Sequence, residues 1–268
     1  SSAPTEGSAV IARCASGGLQ APMITYRSSS TPSFARIVAG YFDATRDGGG
    51  RVSTAHTAPE LAARFAEPLP QSGRPLADVL ARLERDVVSE SNHLLHPRSM
   101  GHQVSAPLAA AVWTEALTGA LNQSGAVWEM SPVGTIVETQ VVRWMCALAG
   151  FGPEAGGTFT SGGTEATFAG LLAARHAAMP EAWARGVGDR APVVVCGEHA
   201  HYGVARAIGE LGLGTDRAAV VPSRDFRMDV AALEQTLHRL AAEGQPVMAV
   251  VATAGSTATG SFDDIEAI

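Results

Sequence analysis

The sequence predicts an α/β fold with a parallel-rich sheet flanked by helices. Two observations carry that prediction. Short β-branched runs at 193–196, 218–221 and 247–252 recur at intervals long enough for a crossover, and each interval holds an apolar pattern of helical period. Strand, helix, strand, helix, strand in that rhythm brings the strands side by side through right-handed connections. A third observation sets the scale: 268 residues, 46% of them apolar, suffice for one large domain or a domain with an N-terminal appendage.

Three regions follow along the chain. Residues 1–58, rich in Ser, Thr, Gly and Ala with a break at Asp47-Gly48-Gly49-Gly50, are expected to form an irregular arm. Residues 59–130 read as a helical segment. Its first helix spans about 75–90, with Pro75 in the first turn and Leu76, Val79, Leu80, Leu83 and Val87 on one face. Its second spans 107–122, Ala-rich and expected to pack on both sides. Residues 131–268 hold the main domain. Pro132 opens a helix with a stripe of Val133, Val137, Val141, Trp144 and Leu148, and Gly150 ends it. A short strand and turn are expected at 157–160, then a helix over 164–178 with Phe168, Leu171 and Leu172 inward. A helix over 201–213 follows the first buried strand. Asp229 caps another, with Val230, Leu233, Leu237 and Leu240 on one side and Gly244 at its end.

Composition excludes several classes. The net charge is −7 and the basic residues are scattered, so no nucleic-acid footprint is expected. The longest strand-like apolar run, 247–252, falls far short of a membrane span. Cys14, Cys146 and Cys196 are widely spaced and form no CxxC, and no secretory segment follows Ser1, which predicts a reduced, cytoplasmic protein. The start at Ser1 and the end shortly after the last strand lead to the expectation of a fragment. All 19 basic residues are Arg, so no lysine-based covalent chemistry is available within the chain.

Four stretches have the residues for chemistry. Thr160-Ser161-Gly162-Gly163-Thr164-Glu165-Ala166 precedes a helix, where free N–H groups and the positive end of the dipole favour an anion. It reads either as a phosphate cradle, with Glu165 expected to point away, or as an ordinary capped helix start. Cys196-Gly197-Glu198-His199-Ala200-His201 leaves a strand at the edge where open α/β sheets hold ligands. Its two histidines at i, i+2 lack a third metal ligand at a familiar spacing, so a histidine offering a flat face to an aromatic ring fits better than a metal site. Ala252-Thr253-Ala254-Gly255-Ser256-Thr257 leaves the next strand with small hydroxyl residues, a pattern shared with common turns. His93, His96, Arg98, His102 and Gln103 crowd one loop, which reads either as a contact for a substrate carboxylate or proton or as a solvated polar loop.

Taken in order, these stretches resemble the group II pyridoxal-phosphate (PLP)-dependent amino-acid decarboxylases, the family of the glutamate, aromatic-amino-acid and diaminobutyrate enzymes. The resemblance rests on His96-Pro97-Arg98-Ser99-Met100-Gly101-His102-Gln103, Ala120-Leu121-Asn122-Gln123-Ser124, Ser131-Pro132 with Glu138, residues 160–166, Glu198-His199-Ala200-His201-Tyr202, and Val251-Ala252-Thr253-Ala254-Gly255-Ser256-Thr257 with Phe262-Asp263-Asp264. It covers about residues 75–268. It implies the large domain of a fold-type-I PLP-dependent transferase-like protein, incomplete at its C-terminus, with an N-terminal helical arm and a homodimeric assembly. It further implies that Gly162, Gly163 and Thr164 bind the cofactor phosphate, that His201 stacks on the pyridine ring, and that Ser256 lies beside the cofactor where relatives usually have Thr. His102 and Gln103 match pocket positions that vary with substrate. Lacking a bulky aromatic floor, they disfavour aromatic substrates and leave glutamate, aspartate and diaminobutyrate open. The family's Schiff-base lysine and ring-nitrogen aspartate have no counterpart here. Asp263 and Asp264 belong to a different motif. The implied activity of the parent protein is release of CO2 from an L-amino acid, with this chain alone inactive. The alternatives are another fold-type-I lyase or transferase, and a lysine-free subunit that needs a partner chain.

Overall fold

The computed structural model describes residues 31–268, in two compact units that divide between Ala109 and Ala110. In the first unit the chain becomes helical earlier than its composition suggests. Helix α1 (Thr31–Arg46) occupies much of the stretch expected to be an irregular arm, and residues 1–30 of that arm lie outside the described residues. Tertiary contacts override the weak local propensity: Ile37 is buried, and Arg36 grips the Glu84 carboxylate with two hydrogen bonds of 2.9 Å. Helix α2 (Ala58–Phe65) is also absent from the sequence expectation. Its start is set by Glu60, whose carboxylate accepts the Thr57 N–H at 2.7 Å, and by a proline in the first turn.

The helix expected over 75–90 is two pieces. Helix α3 (Leu76–Arg82) runs into a π-helical turn (Leu83–Val88), where the Ser89 N–H donates to the Glu84 carbonyl five residues back. Of its predicted apolar face only Leu80 is buried, while Leu76, Val79 and Val87 stay exposed.

In the second unit α4 (Ala109–Leu121) and α5 (Pro132–Leu148) form as predicted, and Gly150 closes α5 in a left-handed conformation, φ +80°. Their packing differs from expectation. Trp113 and Leu117 of α4, and Val133, Val137, Trp144 and Leu148 of α5, are exposed. An apolar stripe marks a face that gains by burial, but the partner is a tertiary matter. Residues 157–160 are irregular rather than a strand. The chain lies against α5 there, with the Val142 side chain 3.3 Å from where a Cβ on Gly157 would sit.

The α/β core then follows in order: α6 (Gly163–Ala178), α7 (Ala182–Arg185), β1 (Val193–Gly197), α8 (Gly203–Glu210), β2 (Ala218–Val221), the short hairpin β3 (Ser223–Arg224) and β4 (Arg227–Met228), α9 (Val230–Ala242), and β5 (Val247–Val251). The main sheet is parallel, in the order β2-β1-β5, with Cys196 opposite Val220 on one side and Val251 on the other. Central β1 is buried along its length, so alternate residues feed two cores. Val194 and Cys196 pack with Leu171 of α6 and Val204, Ala207 and Ile208 of α8. Val193 and Val195 pack with Met228 and with Leu233 and Leu240 of α9. Asp229 caps α9 as predicted, accepting the Ala231 and Ala232 N–H groups at 3.0 and 3.3 Å. Among the described residues no helix is long and apolar enough to cross a membrane.

Candidate active site

The site candidates of the second unit gather at the carboxyl edge of the parallel sheet, because β1 and β5 are neighbours pointing the same way. The loop leaving β1 holds Glu198 to Tyr202. The loop leaving β5 holds Thr253 to Thr257. In open α/β sheets this edge is the ligand-binding edge.

The turn before α6 leaves its backbone open. Gly162 precedes the 16-residue helix in extended conformation, φ 172°, and Gly163 is its first residue. A Cβ on either glycine would meet nothing within 4 Å, so both backbones are open to close approach. The first N–H groups of the helix have no intrahelical acceptor. Thr164 sits just inside, its hydroxyl 3.6 Å from the Cβ position of Gly203 at the start of α8. Glu165 departs from expectation. It folds back over the turn, and its carboxylate accepts the Ser161 N–H at 2.8 Å and the Ser161 hydroxyl at 2.6 Å. Those two bonds hold its carboxyl below the usual glutamate range. The Ser161 hydroxyl is thereby engaged locally.

His201 lies beside this turn. Its Nδ1 accepts the Gly203 N–H at 3.1 Å, which leaves Nε2 as the protonated nitrogen of the neutral ring. That bond also explains why α8 begins at Gly203 rather than at His201, as the apolar pattern suggests. The Tyr202 ring lies 4.1 Å from the imidazole centroid, tilted by 38°, and His201 itself remains exposed. Ser256 is half-buried in a tight loop: its N–H donates to Ser261 at 2.9 Å and its carbonyl accepts from Gly260 at 2.7 Å. Gly255 has φ +85°, a conformation that a side chain would strain.

His102 and Gln103 belong to the first unit. Both are exposed and both have left-handed backbones, φ 63° and 46°. For non-glycine residues that conformation is uncommon. The neighbouring histidines take structural places. His96 is buried, its Nδ1 accepting the Arg98 N–H at 3.1 Å and its Nε2 lying 3.2 Å from the Gly48 carbonyl. The ring of His93 packs at 5.4 Å from Tyr41, with both ring nitrogens buried and without a hydrogen-bond partner.

Three features have no counterpart in the sequence reading. Glu198 accepts the Ser223 N–H at 3.1 Å. Asp263 accepts the Met228 N–H and the Thr253 N–H, each at 2.7 Å. Ser261 donates its hydroxyl to the Phe226 carbonyl at 2.7 Å. All depend on the β3–β4 hairpin, whose Asp225-Phe226 turn lacks the Asn-Gly type of signal that marks such turns. No group of three or more His, Cys, Asp or Glu among the described residues is arranged to hold a metal ion.

Comparison with known proteins identifies the family and the fold. Residues 59–268 match the family model described as the pyridoxal-dependent decarboxylase conserved domain. The chain is 32% identical over 213 residues to the L-2,4-diaminobutyrate decarboxylase of Acinetobacter baumannii, covering 74% of this chain and 42% of that protein. It is 36% identical over 200 residues to the protein of the same name from Rhizobium meliloti (strain 1021), covering 74% and 39%. The chain thus spans about two-fifths of the length of these relatives. The crystal structure of the glutamate decarboxylase domain of diaminobutyrate-pyruvate transaminase and L-2,4-diaminobutyrate decarboxylase from Vibrio parahaemolyticus superposes with a TM-score of 0.81 at 28% identity, over 90% of this chain and 54% of that one. The match of the family model over residues 59–268, on a chain with a parallel α/β sheet, makes this chain a member of the pyridoxal-dependent decarboxylase family.

Proposed function

We propose that this chain is the cofactor-cradling part of a PLP-dependent carboxy-lyase that converts an L-amino acid into its amine and CO2. The observation that carries the reading is the open turn at Gly162 and Gly163, at the N-terminus of a long helix and beside His201. The residues present fit the phosphate and ring faces of PLP: backbone N–H groups for the dianion, the Thr164 hydroxyl next to them, an imidazole for the ring and the Ser256 loop at the adjoining strand end. The lysine that anchors the cofactor covalently is not in this sequence. When bound, PLP supplies an electron-accepting ring that stabilises the charge left at Cα as the carboxylate departs.

The chain's own residues orient and hold. The helix dipole and the first N–H groups of α6 neutralise phosphate charge and fix that end of the cofactor. His201, steadied through Nδ1 by the Gly203 N–H, offers its flat face. The family resemblance assigns His102 and Gln103 to substrate binding. In this reading residues 1–58 are an arm, 59–130 a helical segment, and 131–268 the first part of the PLP-binding domain of a cytoplasmic homodimer. The apolar residues left exposed on α4 and α5, Trp113 and Trp144 among them, support an assembly.

L-2,4-diaminobutyrate is the first substrate to test, because two relatives at 32% and 36% identity bear that name. The experiment is CO2 release by the full-length protein, loaded with PLP, from diaminobutyrate, glutamate, aspartate and an aromatic amino acid. Release from one of the first three is expected. Transamination without CO2 release would overturn the reading in favour of another fold-type-I activity. The absence of lysine favours a second reading, a non-catalytic subunit; activity that appears only on mixing with a second chain would select it.

A further inference from the structure

The β3–β4 hairpin touches both loops that leave the sheet at the candidate site. Toward the loop after β1, the Ser223 N–H is held by the Glu198 carboxylate at 3.1 Å. The Phe226 ring lies 5.8 Å from that of His199. The Met228 side chain packs over Gly197, 3.6 Å from where a Cβ would be, at ordinary van der Waals distance. Toward the loop after β5, the Met228 N–H is held by one oxygen of Asp263, and the Ser261 hydroxyl donates to the Phe226 carbonyl, both at 2.7 Å. The second oxygen of Asp263 takes the Thr253 N–H at 2.7 Å, and the Asp263 N–H returns to the Thr253 carbonyl at 2.9 Å. The turn itself has positive φ at two residues with side chains, Asp225 at 51° and Phe226 at 62°. For an aromatic residue this is an outlier that survives only where its surroundings over-determine it.

We infer that this hairpin is the positioning bracket of the site, with Asp263 as its main positioning residue: it locks the His201 loop and the Ser256 loop to one another. Asp263 touches neither the glycine turn nor His201; it acts through the backbone. A carboxylate suits the task because it accepts from two N–H donors at once. An asparagine accepts at one oxygen and turns an NH2 toward the other donor. The inference rests on the proposed function for its link to PLP, but the coupling of the two loops stands on these contacts alone.

The test uses the full-length protein, with and without PLP, and the variants Asp263→Asn, Ser261→Ala and, as a control in the same motif, Asp264→Asn. Hydrogen–deuterium exchange of the apo protein is read over residues 198–202 and 252–263. Asp263→Asn is expected to raise exchange at least tenfold in both segments, although its side chain contacts only one of them. Ser261→Ala is expected to do so by a smaller factor, and Asp264→Asn to change neither. With PLP, the dissociation constant is expected to rise tenfold or more in Asp263→Asn, with weakened visible circular dichroism of the bound cofactor and unchanged far-ultraviolet spectra. Loosening confined to 252–263, or no loosening in either variant, overturns the bracket. If Asp263→Asn fails to fold, Ser261→Ala decides by the same criterion. A wild-type protein that takes up no PLP refutes the proposed function, and the exchange measurement still judges the bracket.

Discussion

At the residue scale, the glycines of the cradle separate folding from binding. The backbone of Gly162 is extended and any residue can adopt it, and a side chain there would project into open space. A Gly162→Val substitution is therefore expected to leave the Tm within about 2 °C of the wild type, since surface changes away from special features cost little. In the proposed function the same valine stands where the phosphate would approach, so PLP affinity is expected to fall at least tenfold, by roughly the loss of one or two good contacts. Thermal melting and a PLP titration on the same sample check the two halves. Glu165 offers a pH prediction of definite sign. Its carboxyl is held below the ordinary value by the Ser161 hydroxyl and N–H, so the contact contributes above the unfolded pKa and is lost as pH falls through the lower folded one. Carboxyl chemical shifts followed on acidification should place the Glu165 midpoint below that of an exposed glutamate, and Glu165→Gln should erase the transition.

At the element scale, the order of the sheet decides which loops meet. Parallel pairing of β1 with both β2 and β5 puts their carboxyl ends on one edge, and the helices between them cover both faces. Helix α8 is the most sensitive of these, because Ile208 has 0% exposure and packs with Val194 of β1 and Leu171 of α6. Truncation by Ile208→Ala is expected to cost about 2–5 kcal/mol, measured by denaturant unfolding. Helix α9 depends on its cap. The Ala232 N–H, helped by Arg224, depresses the Asp229 carboxyl, so its contribution is present at neutral pH and fades as pH falls through the depressed value. Asp229→Ala should lower the Tm by roughly 2–4 °C at pH 7. That difference should close in acid.

At the scale of the whole molecule, the 268 residues bring the glycine turn, His201 and the Ser256 loop together and contain no lysine. We expect the 268-residue chain, purified alone with PLP, to release no CO2 from any amino acid tested, and the full-length protein to do so. Gas release by the isolated chain would refute the requirement for a lysine from elsewhere. The exposed faces of α4 and α5 belong to the same scale. Trp113 is 49% and Trp144 58% exposed, large values for tryptophans on apolar helix faces.

Much of this protein was determined by its sequence alone. The three apolar runs marked the strands, and the most β-branched of them, 193–196, became the fully buried centre of the parallel sheet. Asp229 and Gly244 marked the ends of α9, because capping is a local transaction between a side chain and its own backbone. The glycine turn was legible as a helix start for the same local reason, while the cofactor roles of Gly162, His201 and Ser256 rest on the family resemblance. Tertiary structure alone decided the rest. Helix α1 is anchored by buried Ile37, and its exposed Arg36 meets Glu84 forty-eight residues away, contacts that no local pattern announces. Asp263 becomes a clamp only when the hairpin delivers the Met228 N–H to it, a pairing across thirty-five residues that no local pattern encodes. Periodicity and capping act within a few residues. Partners for exposed faces and for lone carboxylates are chosen by how distant segments pack.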